Sequence, residues 1–148
     1  MHRNSQSIFD FISELNWKIT QHPDTLELGA SDKARMHETL FREPVELWVH
    51  LDRYEELNRT IIVGGSVRDV LFQIYCFYTR TPLVEGDVEE VKILGNDDGF
   101  SGDYYRKAMR RFMRGKHVFW KTLIGEAKHF EGFTMLSPNK EYSMNIGS

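Results

Sequence analysis

Between Ile8 and Trp17 the apolar residues Ile8, Phe11, Ile12 and Leu15 recur at i, i+3, i+4 and i+7. That spacing predicts a short amphipathic helix over 7–17, with Ser5 or Ser7 placed to cap it. Gln21-His22-Pro23-Asp24 ends it, because proline cannot continue the hydrogen-bond ladder and biases the residue before it toward extended geometry. A short extended piece at Thr25–Leu28 follows. Ser31 to Arg42 is ambiguous: Ser31 is a candidate helix cap, yet Ala34 and Met36 form no coherent face before Leu40 and Phe41. From Pro44 the period becomes two. Val45, Leu47, Val49 and Leu51 alternate with Glu46, Trp48, His50 and Asp52, the pattern of a half-buried strand with Trp48 on the face opposite the aliphatic row. A second β-type run, Thr60-Ile61-Ile62-Val63, stops at Gly64-Gly65 and is placed to pair with the first across Tyr54–Arg59.

Ser66-Val67-Arg68-Asp69 has the form of a capping box, although Asp reaches less far than the usual Glu or Gln. Behind it Val67, Val70, Leu71, Ile74, Phe77 and Tyr78 make one wide apolar stripe, ending at Thr81-Pro82; this is the expected central core helix. Val84–Ile93 reads equally as a helical turn or a short strand. Gly95 to Gly102 reads as a loop rich in residues that tolerate positive φ. Asp103 then caps a helix whose apolar positions Tyr105, Ala108, Met109, Phe112 and Met113 lie opposite a cationic row, up to Gly115. Phe119–Ile124, Phe133–Leu136 and Tyr142–Ile146 look partly extended, with Ser137-Pro138-Asn139-Lys140 as a hairpin loop between the last two. The sum is an α+β fold over residues 1–148: one domain, about three helices and a small antiparallel sheet.

Length and composition agree. A chain of 148 residues buries roughly 70% of its unfolded surface. With 41% hydrophobic and 28% charged residues it falls outside disordered, collagen-like and disulfide-scaffold classes. The lone Cys76, in the apolar helix, implies a reducing compartment and an inert thiol, and no secretory apolar run follows the polar N-terminus. The expectation is therefore an intracellular protein, not secreted, with no membrane partner: the apolar runs fall far short of the ~20 residues a membrane helix needs.

Chemistry-bearing patterns are sparse. His2, His22, His37, His50, His117 and His129 include no pair at i, i+3 or i+4, and no CxxC exists, so no metal is expected. Counted from Asn96, the twelfth place of a calcium loop would be Lys107 rather than Glu. Gly64-Gly65-Ser66 joins a strand to a helix N-terminus but lacks a phosphate-binding fingerprint, and a turn and cap need the same residues. No nucleophile elbow or paired carboxylates point to a catalytic residue, and no cofactor is implied. An enzyme assembled from distant groups such as His50, His117 and acids of the Asn96 loop is the third and weakest reading.

Charge segregation is the most informative feature. The net charge is only −3, yet Glu85–Asp103 holds seven acids and one lysine, while Arg106–Lys121 holds seven Lys or Arg and no acid. Arg106, Arg110 and Arg114 recur every four residues with Lys107 and Arg111 beside them, so five cations share a broad helix face; Lys116, Phe119 and Trp120 follow. This segment, 103–121, is the candidate binding site. It suits an acidic protein partner in an assembly, or a nucleic acid whose phosphates meet Arg106, Lys107, Arg110, Arg111, Arg114 and Lys116 while Trp120 stacks on a base. The simpler alternative is a solvated face neutralised by the acidic stretch before it. Separated patches would also allow homo-oligomers.

Two stretches carry a resemblance. Ser66-Val67-Arg68-Asp69-Val70-Leu71 with Thr81-Pro82-Leu83, and Phe130-Glu131-Gly132-Phe133 with a last strand ending in Gly147-Ser148, resemble an uncharacterised small α+β domain family of large DNA viruses and fungi. Phe133 stands where that family's pattern has Leu, and the basic helix is not part of the pattern. The resemblance implies an α+β module, a viral accessory or structural protein in virion or host cytoplasm, without catalytic residues to transfer. Phe130–Phe133 itself reads as a turn in which Gly132 takes an unusual φ.

Overall fold

A computed structural model describes residues 7–50, 58–84, 86–87, 99–124 and 128–147. Ser5, Leu51, the connector through residue 57 and nearly all of Val84–Ile93 and Gly95–Asp98 lie outside them. Side chains of residues 50, 58 and 99–105 do too.

The chain opens with α1, Ile8–Ser13, whose first turn is capped by Ser7: its Oγ accepts from the Phe9 N–H at 3.2 Å. The helix stops short of Trp17 because the following segment is taken up by pairing. Phe130 N–H donates to Trp17 C=O and Ile19 N–H to Lys128 C=O, which lays residues 17–19 along the start of a later strand. A 3-10 turn, Pro23–Thr25, follows, with Leu26 extended after it. Helix α2 spans Ala30–Arg35 and begins at Gly29, so Ser31 sits inside the helix rather than capping it. The incoherent face beyond it has a clear cause: Leu40 and Phe41 belong to a strand.

That strand, β1, runs Thr39–His50, and β2 runs Asn58–Ser66 antiparallel to it. β1 starts earlier than its alternation suggests because two register shifts interrupt Thr39–Val45. They let the successive residues Leu40 and Phe41 both be buried and accommodate Pro44, which cannot donate to a ladder. Helix α3, Val67–Arg80, carries the full capping box, so Asp69 does reach: Asp69 N–H to Ser66 Oγ is 3.1 Å and Ser66 N–H to Asp69 Oδ2 is 3.2 Å. All six stripe residues are buried.

Helix α4, Gly99–Met113, begins four residues before Asp103, so the second half of the expected glycine-rich loop is helical. Lys121–Ile124 forms the short helix α5 instead of an extended run. Strands β3, His129–Ser137, and β4, Glu141–Gly147, make the expected hairpin, with Asn139 at φ 61° in its loop. Phe130–Phe133 is not a turn. It lies within β3, where a register shift at Gly132, φ 110°, absorbs an extra residue; a Cβ there would come 3.0 Å from Ser13 Cβ.

The sheet order is β2-β1-β4-β3. Both hairpins are antiparallel, but they join through parallel pairing of β1 with β4, Glu46 to Glu141 and Trp48 to Ser143, so the sheet is mixed. The fold is α+β as expected. The helices number five among the described residues rather than about three, because α2 and α5, of six and four residues, are too short to show a coherent apolar face in the sequence. Helix α3 packs against β2 and β1, and α1 against β3. Buried Val45, Leu47, Val49, Val63, Tyr142 and Met144 belong to the core. On the alternate positions, Glu46, Trp48, Thr60 and Ile62 are exposed. Among the described residues no helix is long and apolar enough to cross a membrane.

Candidate interaction site

Helix α4 buries one stripe. Ala108 is fully buried, and Met109 and Phe112 pack half-buried against the core, fixing which side faces out. Arg106, Lys107, Arg110, Arg111, Arg114 and Lys116 are all exposed, so the cationic face stands where the periodicity puts it. The helix ends as the sequence suggests. Gly115, φ 74°, donates to Phe112 C=O at 3.0 Å and Lys116 N–H donates to Arg111 C=O at 3.1 Å, a Schellman close. Arg110, Arg111 and Arg114 therefore sit at the negative end of the helix dipole, which favours them there.

Helix stability alone does not account for the surface. Among the described residues, Lys107, Arg110, Arg111, Arg114 and Lys116 make no ion pair. Asp87, from the acidic stretch, is buried and engaged elsewhere: it accepts from Arg59 through a close ion pair and from the Val84 N–H at 3.0 Å. Beside the arginines Met113 is 83% exposed. Arg106, Met109, Arg110, Met113 and Arg114 line an open groove of about 480 Å³. Sequence periodicity assigns Met113 to the buried side; as the last helical residue it escapes the core.

Trp120 is no stacking platform. It is wholly buried, its ring near-parallel to Phe77 at 6.3 Å with the Arg59 guanidinium 5.1 Å from its centroid. It plugs the core beneath the C-terminal half of α3, and no base can reach its face. Phe119 is half-buried and pairs with Pro82 through a single bridge.

His117 is exposed near Phe119, His50 closes β1, and the acids of the Asn96 loop lie outside the described residues. Among the described residues no three His, Cys, Asp or Glu side chains gather at a metal-sized site. At the α3 N-terminus the Val67 and Arg68 N–H groups donate to Glu38 and Met36 C=O, and the Asp69 N–H to Ser66. Those donors are spent within the fold, so the glycine turn offers no anion cradle. Cys76 is half-buried in α3.

A surface that the sequence showed only as alternation lies on the open side of the sheet. Trp48 is 37% and Ile62 64% exposed, and Trp48 Nε1 donates to Glu141 Oε2 at 2.8 Å. Pro44, Val45, Glu46, Ile62, Lys140 and Glu141 border a shallow groove of about 560 Å³ there. No protein-family model matches this chain, and no curated protein or solved structure is significantly similar to it.

Proposed function

We infer that the chain is a non-enzymatic interaction module that holds an acidic protein segment against α4. One observation carries the reading: two arginine side chains without ion pairs among the described residues, Arg110 and Arg114, share a groove with a methionine that is 83% exposed, while Lys107 and Arg111 extend the cationic face beside them. Cations attract and orient an acidic partner, and a flexible thioether supplies apolar contact that adapts to its side chains. A phosphate backbone uses the cations but gains little from the methionine. The resemblance to a viral domain family fits an accessory or structural role in a virion or host assembly, in a reducing compartment consistent with one lone half-buried cysteine.

The second reading, a nucleic-acid accessory protein, keeps Arg106, Lys107, Arg110, Arg111, Arg114 and Lys116 as phosphate contacts but loses its stacking residue, since Trp120 is buried. Anisotropy of a labelled amphipathic peptide rich in Glu and Leu, and of labelled RNA and DNA, separates them. Arg110→Glu/Arg114→Glu should abolish peptide binding, and Met113→Ser should weaken peptide while leaving any oligonucleotide affinity unchanged. Steeply salt-dependent oligonucleotide binding insensitive to Met113→Ser would favour the second reading.

A further inference from the structure

We propose that the α4 face of one molecule docks on the open sheet face of another copy, giving head-to-tail self-association; this rests on α4 being an acidic-partner site and names that partner. The sheet face has the complementary chemistry. Glu46 and Glu141 are Cα partners on adjacent parallel strands, which places their backbones about 4.8 Å apart. Like charges opposite one another destabilise a sheet unless a cation intervenes. Among the described residues neither carboxylate has an ion-pair partner, and Lys140 at the groove rim bonds neither.

Beside them Trp48 holds the Glu141 carboxylate in place with its indole N–H and leaves part of its ring to solvent. A fixed carboxylate next to an exposed indole suits a guanidinium, which binds carboxylate in a fork and lies on an aromatic face. Helix α4 offers two guanidiniums one turn apart. Arg110 and Arg114 are separated by a rise of about 6 Å, close to the spacing of the two glutamates. Met113, on the same groove, would meet Ile62 and the Trp48 ring, removing two exposed apolar groups of the sheet face from water. Helix and sheet surfaces differ and each molecule offers one of each, so the contact can repeat from copy to copy.

Sedimentation velocity of the full chain over a wide concentration range, at low and high salt, tests this. The wild type should form species that grow with concentration and dissociate in high salt. Arg110→Glu/Arg114→Glu and Glu46→Lys/Glu141→Lys should each be monomeric alone, and their equimolar mixture should associate again, which also shows that both are folded. Trp48 is the only exposed tryptophan, so association should also blue-shift the indole emission. A wild type that stays monomeric while still binding the acidic peptide would overturn self-association and leave the α4 reading intact; binding neither would remove both. Association that survives Glu46→Lys/Glu141→Lys would place the contact on another face and overturn the proposal.

Discussion

Arg68 and Asp24 show how one ion pair ties a turn to a helix. Arg68 Nε and Nη2 donate to the two Asp24 carboxylate oxygens at 2.9 and 2.8 Å, fastening the 3-10 turn to the first turn of α3. The hydrogen bond from Arg68 holds the Asp24 carboxyl below its usual range, with the Arg68 charge adding to it. A depressed carboxyl stabilises the fold above its unfolded pKa and loses that contribution as pH falls through the lower folded value. Arg68→Gln should therefore move Asp24 upward in a carboxyl ¹³C NMR titration, with little change in stability at neutral pH because both groups face solvent. Trp120 sets the opposite case. As a core plug its replacement by Ala should cost about 3–5 kcal/mol in a denaturant titration, whereas a solvent-facing stacking residue would leave the midpoint nearly unmoved. Gln73 is a third anchor: its side-chain amide accepts from Gly64 N–H and donates to Gly64 C=O, both at 3.0 Å, completing the β2 backbone. Gln73→Leu would strand both groups and should cost about 1–3 kcal/mol.

Elements were legible where local pattern alone decides them. Helix α3 announces itself through Ser66, Asp69 and a continuous stripe, and Ser66→Ala should lower the melting temperature by the equivalent of about 1 kcal/mol, seen by circular dichroism. The period of two in β1 correctly set Trp48 opposite Val45, Leu47 and Val49, and Pro138-Asn139 marked the β3–β4 loop. The C-terminus of α4 is legible through Gly115, where Ala would need a left-handed backbone and should cost about 1 kcal/mol. The failures share one cause, contacts distant in sequence. Pairing with Lys128 and Phe130 cuts α1 short, register shifts against β2 pull Leu40 and Phe41 into β1, and Gly132 is a bulge only because β4 lies beside it. For the candidate site, periodicity found the cations of α4 but placed Met113 inside, and proximity to a basic row made Trp120 look like a platform. Whether an aromatic is plug or platform is settled by Phe77 and Arg59, which no local window contains.

At the scale of the molecule, a near-neutral chain conceals two unlike surfaces. The cations of α4 gather on one helix, while carboxylates, an indole and an isoleucine occupy the open face of the sheet. The sheet that presents them is two hairpins welded along a short parallel seam, and that seam has a kinetic consequence. Trp48 and Glu141 are 93 positions apart, so uniting β1 with β4 closes a loop whose entropy cost is about 4 kcal/mol before any contact across it is gained. Each hairpin closes over a few residues and meets no such barrier. Folding should accordingly run through early, local hairpins and a late seam, and pulse-labelled hydrogen exchange should find amides of the β3–β4 turn region guarded well before those at Glu46. A chain stalled at that stage would display two unjoined strand edges, β1 and β4, each ready to accept the other's counterpart from a neighbouring molecule.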